Sequence, residues 1–147
     1  MSARCHIAAA GLLGIALSAA PAGEAAAKTY QKTVEAVVCD VGQCNVVFPK
    51  IGSNKELRIL FVSCSTRGTN LEVGEALLGI DNAFQPPNLY LTGTARSAGG
   101  TDFFIVSQPV VFTIPSAKKP NIKIFFDETT GSPAATCSIS GDLVTLP

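Results

Sequence analysis

The chain has no tryptophan and only one histidine, His6, and both scarcities restrict its chemistry. His6 lies in an N-terminal segment that we expect to be removed. The remaining chain would then have no histidine for a Ser-His-Asp triad, a Cys-His pair or a metal site. The missing tryptophan argues against an immunoglobulin domain, whose core contains one, and against a glycosidase that stacks sugars on such rings. The sequence therefore favours a protein that is not an enzyme.

Charge is scarce as well. Charged residues make up 15% of the chain, and the 11 basic residues are balanced by 11 acidic ones. A net charge of zero gives no long-range attraction toward nucleic acid or an anionic bilayer, so neither is predicted as a partner. The chain also lacks a G-x-S-x-G elbow and a Walker A sequence. We expect no cofactor and no metal.

Residues 1–27 are predicted to form a secretory signal peptide. Arg4 supplies a positive charge, and residues 7–20 form an apolar run that is too short to span a membrane. Small residues of the A-x-A type follow, and they place cleavage after Ala27, with Ala22 as the alternative. No later apolar run is long enough for a membrane span. Residues 28–147 would then form one secreted or periplasmic domain.

Four of the five cysteines remain after this cleavage, because Cys5 lies within the signal peptide. An even number of cysteines in an exported chain is typical of disulfides, and the C-x4-C spacing with two remote cysteines is a poor zinc signature. In "CDVGQC", a two-residue turn would place Cys39 opposite Cys44 at a non-hydrogen-bonded position, where α-carbons lie about 4.5 Å apart. Cys64 would then pair with Cys137.

Helix signals are nearly absent after the signal peptide, and short runs rich in β-branched and aromatic residues predominate. The predicted strands are 29–39, 44–48, 56–64, 70–78, 88–95, 102–114, 121–126 and 135–146. The fourth of these runs also has apolar residues at helical spacing, but its glycines disfavour a helix. About eight strands without helical crossovers predict an all-β fold, a single-domain antiparallel β-sandwich of jelly-roll or Greek-key type with two disulfides.

Alternation within the runs predicts which side chains share a face of the sheet. Leu57, Ile59 and Phe61 should point to one side of their strand. Pro109 lies inside a strand-like run, which indicates an edge position or a bulge, because proline cannot donate a ladder hydrogen bond. The proline- and serine-containing stretch 114–121 is predicted to be a hairpin connection.

Paired carboxylates are the remaining route to catalysis, as in glycoside hydrolysis. Glu72 lies near Glu75 in the sequence, and Asp127 lies next to Glu128. Residues 126–132, "FDETTGS", are also rich enough in oxygen atoms for a calcium loop. A solvated turn explains these residues better, because the spacing of an EF-hand is absent. A small carboxylate-dependent hydrolase is therefore the least favoured hypothesis.

Aromatic residues are the best candidates for a binding surface. Strand alternation turns Phe125 away from its apolar neighbours, and one of Phe103 and Phe104 must also point away from the core. With Tyr90, these rings could form an aromatic strip for a sugar or a protein. Burial in the core is the competing explanation, since most phenylalanines are buried.

Lys118 and Lys119 are predicted to lie at the tip of the hairpin, where they could contact an acidic partner. Together with the aromatic residues they favour an exported, non-catalytic protein that binds a protein or an envelope glycan. A structural surface or pilus-like subunit joined by strand addition is the alternative, since it needs the same exported and disulfide-bonded scaffold. The sequence sets no oligomeric state.

Overall fold

The computed structural model describes residues 27–40, 42–81 and 87–147. Within these ranges the chain is all-β, with antiparallel strand pairs and no helix, which confirms the predicted fold class. The strands belong to one continuous sheet that curls into a half-barrel, so the two separate sheets of a sandwich are not confirmed. The predicted signal peptide lies outside the described residues except for Ala27.

Seven strands form this sheet. They are β1 (Lys28–Val38), β2 (Gln43–Val47), β3 (Lys55–Ile80), β4 (Leu89–Tyr90), β5 (Gly93–Ala98), β6 (Thr101–Ile114) and β7 (Pro120–Thr145). The order across the sheet is β1-β7-β3-β6-β5, while β2 also pairs with β7 and β4 also pairs with β3. The two 26-residue strands, β3 and β7, pair along their whole length and organise the molecule.

The connection between β6 and β7 shows how strongly the sheet curls. Fully extended, the 26 residues of β3 would cover about 80 Å. The start of β3 pairs with the end of β6, where Leu57 lies opposite Ile114, and its end pairs with the start of β7, where Ile80 lies opposite Pro120. Only residues 115–119 join β6 to β7, and such a segment reaches about 21 Å at most. The two ends of β3 must therefore lie close together.

The strands β3 and β7 bend as a pair. Successive register shifts between Arg67 and Glu75 mark the bend, as expected where β-bulges kink a strand. Asn70 (φ 48°) and Gly131 (φ 82°) lie in this region in the left-handed conformation, which asparagine and glycine adopt more readily than other residues. The sequence predicts chain breaks here, but the pairing continues through the bend. The predicted strands 56–64 and 70–78 are both part of β3, and the predicted strands 121–126 and 135–146 are both part of β7.

One hydrophobic core fills the inside of the curled sheet. Its fully buried side chains include Phe48, Leu57, Ile59, Leu78, Ile114, Ile122, Ile124 and Ile139. Six of them come from both halves of β3 and β7, so the bend brings two apolar surfaces into one cluster. Burial of each such side chain contributes about 1.5–3 kcal/mol.

A bulge after Ile59 changes the predicted alternation of β3. Leu57 and Ile59 are buried as predicted, but Phe61 is 39% exposed and Val62 is buried in its place. The register against both neighbouring strands shifts between Ile59 and Phe61, and an extra residue moves the following side chains to the opposite face. Pro109 lies opposite Phe61 at this irregularity, in agreement with its predicted position.

Two disulfides fasten the sheet. Cys39 is bonded to Cys44, and their α-carbons lie 4.5 Å apart. A 3.3 Å backbone hydrogen bond closes the turn between them, as the spacing predicts. Cys64 is bonded to Cys137, which lies directly opposite on β7 with an α-carbon separation of 4.1 Å. The second bond therefore fixes the two central strands to each other.

The segment 115–119 is not the predicted hairpin, because β6 and β7 lie on opposite edges of β3 and are not paired with each other. It crosses from one end of β3 to the other instead. Backbone hydrogen bonds support it on the way: Ile51 N–H donates to the carbonyl of Lys118, and Ala117 N–H donates to the carbonyl of Gly52. Proline and serine mark a loop here, but they do not specify which strands it joins.

Candidate binding face

The candidate site lies on the side of the sheet that is turned away from the core. Arg96 on β5 is the cross-strand partner of Phe103 on β6, and Phe103 is also the partner of Arg67 on β3. Arg67 in turn lies opposite Ala134 on β7. Opposed residues project from the same face of a sheet, and this row is exposed or partly exposed while the neighbouring Thr66 is fully buried. We call the surface of β5, β6, β3 and β7 around this row the outer face.

A trough runs across the outer face. Two depressions of about 430 and 270 Å³ share Arg67, Phe103 and Ala134, so they form one surface. The hydroxyl-bearing residues that line it are Ser65, Thr69, Thr101, Ser132 and Thr136. A third depression of about 300 Å³ lies beside it on β5 and β6 and is lined by Thr92, Gly93, Thr94, Arg96, Ile105 and Ser107. The outer face thus combines an aromatic ring, two guanidinium groups and several hydroxyl groups.

The outer face has local positive charge although the whole chain is neutral. Among the described residues, neither Arg67 nor Arg96 forms an ion pair. No carboxylate of the described part of the chain lines any of the three depressions. Arg58 differs, because its guanidinium lies 3.3 Å from the carboxylate of Glu56.

The disulfide between Cys64 and Cys137 lies directly beneath the trough. Both cysteines are buried, and their neighbours Ser65 and Thr136 line the trough from the other side of the same strands. A covalent bond between β3 and β7 at this level restricts movement of the two strands. A rigid support of this kind holds surface groups in place for a ligand.

Phe103 and Phe104 point to opposite sides of β6. Phe103 lines the trough, whereas Phe104 packs against the core. The ring of Phe104 lies next to Gly93, where an added Cβ atom would come within 2.3 Å of a ring carbon. Glycine at this position therefore lets β5 pack closely over the ring. Phe103 is accessible to a ligand on the outer face, and Phe104 is a partly buried residue that packs against the core.

Phe125 and Tyr90 lie on the other half of the bent sheet. Phe125 is the cross-strand partner of Glu75, eight positions after Arg67 on β3 and beyond the register shifts that mark the bend. Tyr90 is 70% exposed and lies opposite Leu77. The predicted aromatic residues therefore do not form one continuous strip. A binding role for Tyr90 and Phe125 stays a prediction.

Lys118 and Lys119 lie in the β6–β7 connection and not at a hairpin tip. Lys118 Nζ lies 2.8 Å from the carboxylate of Asp81, and the backbone N–H of Lys119 donates to the same carboxylate at 2.7 Å. Both hydrogen bonds lower the pKa of Asp81 below its usual value. The bond from the Lys118 side chain has the larger effect, and the bond from the Lys119 backbone has the smaller one. These contacts fasten the connection to the end of β3. Contact of the lysines with an acidic partner stays a prediction.

Acidic residues meet at the bend, in a separate depression of about 400 Å³. Glu72 lies opposite Glu128, and both line this depression with Asp102. Asp102 accepts hydrogen bonds from Ser97 Oγ and from the N–H of Leu71, and these bonds lower the pKa of its carboxyl. Asp102 thus stays ionised and supports the local fold. Within the described chain no aromatic residue lines this depression, so it lacks a platform for a sugar.

Residues 126–132, considered above as a calcium loop, are part of β7 at the bend. The carboxylate of Asp127 lies against Gly74, where an added Cβ atom would come within 2.4 Å of an oxygen atom. No cluster of three or more histidine, cysteine, aspartate or glutamate side chains in the described ranges is arranged to hold a metal ion.

Ser116 and Lys119 have the S-x-x-K spacing of a serine–lysine catalytic pair. On a helix, residues three apart would share one face and approach each other. Here the two residues lie in the irregular segment between β6 and β7, and Ala117 between them has a φ of 60°. The helical arrangement that brings such residues together is therefore absent from this segment.

The sequence prediction misses Arg67 and Arg96. The two arginines are distant in the chain and flank Phe103 only through the pairing of β5, β6 and β3. Polar residues on alternate strand positions were the available signal, but this pattern is also typical of any solvated sheet face.

The part of the chain that the structure describes contains no helix long and apolar enough to cross a membrane. Comparisons with known proteins give no match, whether to a family model, to a curated protein or to a solved structure.

Proposed function

We propose that the protein is an exported, non-catalytic binding protein that holds a polysaccharide chain on its outer face. The observation that carries this proposal is the trough around Phe103, where an aromatic ring lies among serine and threonine hydroxyls. Sugars have apolar C–H faces and hydroxyl edges. They are bound by a ring that packs on the former and by polar groups that hydrogen-bond the latter.

The shape of the trough favours an extended chain over a small cofactor. The outer face crosses four strands from β5 to β7, and a strand spacing of about 4.8 Å gives a width of about 14 Å. This width exceeds the length of a single sugar ring. The disulfide beneath the trough supports the proposal further, because a preorganised surface loses less entropy when it binds.

Export to a secreted or periplasmic location is part of the proposal. It is supported by the predicted signal peptide and by the two disulfides, which are typical of oxidising compartments. Envelope and extracellular polysaccharides occur in the same compartments. A polysaccharide ligand is therefore consistent with the proposed location.

The alternative functions have less support. A pilus-like subunit would need a strand that is free to be donated, but β1, the first described strand, pairs with β7 from Lys28 to Val38. A carboxylate hydrolase would need a substrate platform beside its acids. The depression that contains Glu72 and Glu128 has none among the described residues.

Substitution of Phe103 tests the proposal. We expect Phe103→Ala to weaken polysaccharide binding by about fivefold or more, because truncation of an aromatic anchor costs about 1 kcal/mol or more. Binding is measured by affinity electrophoresis in gels that contain neutral or acidic polysaccharides. Val111→Ala is the control, since it truncates an exposed apolar side chain on β6 that lies outside the trough. Circular dichroism verifies that both variants are folded.

Two results would contradict the proposal. One is a wild-type protein that no polysaccharide of the panel retards. The other is equal retardation of the folded Phe103→Ala variant and the wild type, which would show that the trough does not contact the ligand.

A further inference from the structure

We propose that the polysaccharide is anionic and that carboxylates of its uronic acid residues bind Arg67 and Arg96. This inference rests on the proposed function and adds the chemical class of the ligand. The two arginines are the cross-strand partners of Phe103 on either side, so a sugar packed on the ring would have a guanidinium group at each end.

The positive charges of Arg67 and Arg96 are not neutralised by a carboxylate among the described residues. Neither arginine is in an ion pair with a described residue, and no described carboxylate lines the trough or the neighbouring depression. Asp102 precedes Phe103 in the chain but lines the separate acidic depression, where Ser97 and Leu71 hold it. The planar guanidinium group matches a carboxylate through two parallel hydrogen bonds, so both arginines are available for such contacts.

The spacing of the arginines fits an extended uronate chain. One strand separates β3 from β5, so the backbones at Arg67 and Arg96 lie about 10 Å apart. Carboxylates on the same side of a uronate chain with two sugars per turn recur on every second sugar, and two sugar rings have a similar length. The chain would then cross the strands, with one sugar over Phe103 and the flanking carboxylates at the arginines.

A nucleic acid is the other polyanion that packs on aromatic rings. Its affinity grows with the number of cations that neutralise phosphates along the backbone. The trough and its neighbour together contain two cationic residues and a larger number of hydroxyl groups. This composition suits a ligand with many hydroxyls and spaced charges, so the structure favours the polyuronate.

Calorimetric titration with polygalacturonate and with its carboxyl-reduced form tests the inference, because reduction replaces each carboxylate with an uncharged hydroxymethyl group and leaves the rest of the polymer unchanged. We expect the wild type to bind polygalacturonate at least tenfold more tightly. Arg67→Gln and Arg96→Gln should each weaken this binding about three- to tenfold and reduce its salt dependence. Arg58→Gln is the matched control, because Arg58 is already paired with Glu56 and lies outside the trough; its affinity should stay unchanged.

Each other outcome has a distinct meaning. Equal binding of both polymers overturns the anionic ligand but leaves polysaccharide binding intact. Binding of neither polymer also overturns the inference that the ligand is a polyuronate. Affinity electrophoresis with the other polysaccharides then tests the proposed function separately. Tighter binding of single-stranded poly(dT) than of polygalacturonate would replace the polyuronate with a nucleic acid. Equal losses in the Arg58, Arg67 and Arg96 variants would indicate non-specific attraction and would contradict the assigned site.

Discussion

Thr66 places a hydroxyl group in an otherwise apolar part of the core. The residue is fully buried on β3, and its Oγ1 has no hydrogen-bond partner among the described atoms. An unsatisfied buried hydroxyl typically destabilises a protein by about 1–3 kcal/mol. Its sequence neighbours Ser65 and Arg67 are exposed on the outer face, whereas the side chain of Thr66 points inward.

Replacement of Thr66 with valine should therefore stabilise the protein. Valine has nearly the same shape and keeps the β-branched side chain that strands favour. We expect Thr66→Val to raise the free energy of unfolding by about 1 kcal/mol, measured by urea denaturation with circular dichroism. Thr113→Val, at an exposed position of β6, is the control and should change it by less than about 0.5 kcal/mol. A destabilised Thr66→Val variant would mean that the hydroxyl has a hidden partner.

Only part of the candidate site could be predicted from single residues. Two adjacent phenylalanines on a strand must point to opposite faces, so one of Phe103 and Phe104 had to be outward. Which one it is depends on the register of β6 against its neighbours, and the sequence does not contain that register. The same limit applies to Arg67 and Arg96, which become neighbours of the ring only after three strands have paired.

At the scale of elements, the sequence predicts which residues are in strands, but it does not predict where one strand ends and the next begins. Gly68, Asn70 and Pro133 are typical turn residues, so the sequence predicts that strands end near them. The structure places them inside β3 and β7, at the bend. A residue that can turn the chain can also bend a strand pair without breaking it. Pairing with β7 determines whether β3 ends at these residues or bends and continues. Because β7 lies far from β3 in the sequence, the local sequence does not show this.

Gly141 makes the bulge after Ile59 possible. A Cβ atom at this position would lie 1.9 Å from the carbonyl oxygen of Arg58 and 2.9 Å from the α-carbon of Ile59. Both atoms belong to the backbone, so neither can move aside without distorting β3. The close approach of two backbones at a strand irregularity is a common reason for glycine in a sheet.

Gly141→Ala should therefore destabilise the fold by at least about 2 kcal/mol, because extra atoms in a packed region force backbone shifts. Thermal unfolding followed by circular dichroism measures the effect. Gly52→Ala is a suitable control, since its nearest contact would be an ordinary 3.6 Å to the Lys55 side chain. Similar melting temperatures for the two variants would show that the bulge adapts to a methyl group.

The outer edge of β6 is protected against pairing with another chain. The described part of β5 covers β6 only as far as Val106, which leaves residues 107–114 with a single neighbouring strand. Val111 is 87% exposed on this segment. Pro109 lacks an N–H group and lies at the bulge, and both features oppose the addition of a further strand.

At the scale of the whole molecule, the two disulfides close loops of very different length. Cys39 and Cys44 are separated by 5 positions, whereas Cys64 and Cys137 are separated by 73. The local bond could be predicted from a tight turn between two strand-like runs, and the other pairing followed by elimination. Loop entropy gives stabilisations of about 2 and about 4 kcal/mol.

Removal of each bond should reveal this difference. We expect the Cys64→Ala/Cys137→Ala variant to lose about twice as much free energy of unfolding as the Cys39→Ala/Cys44→Ala variant, measured by urea denaturation. All four cysteines are buried, so the two variants leave comparable cavities and act as controls for each other. Equal losses, or a larger loss for the short loop, would contradict the loop-entropy explanation.

The position of β7 in the sheet determines when the chain can fold. β7 is the last strand of the sequence, yet it is the neighbour of β1, β2 and β3. Lys28 pairs with Leu143 and Lys55 pairs with Thr145, so these contacts join distant parts of the chain. Such non-local pairing is slow to form. A growing polypeptide could not complete this sheet until β7 had been synthesised, so β1, β2 and β3 would lack their shared partner until then.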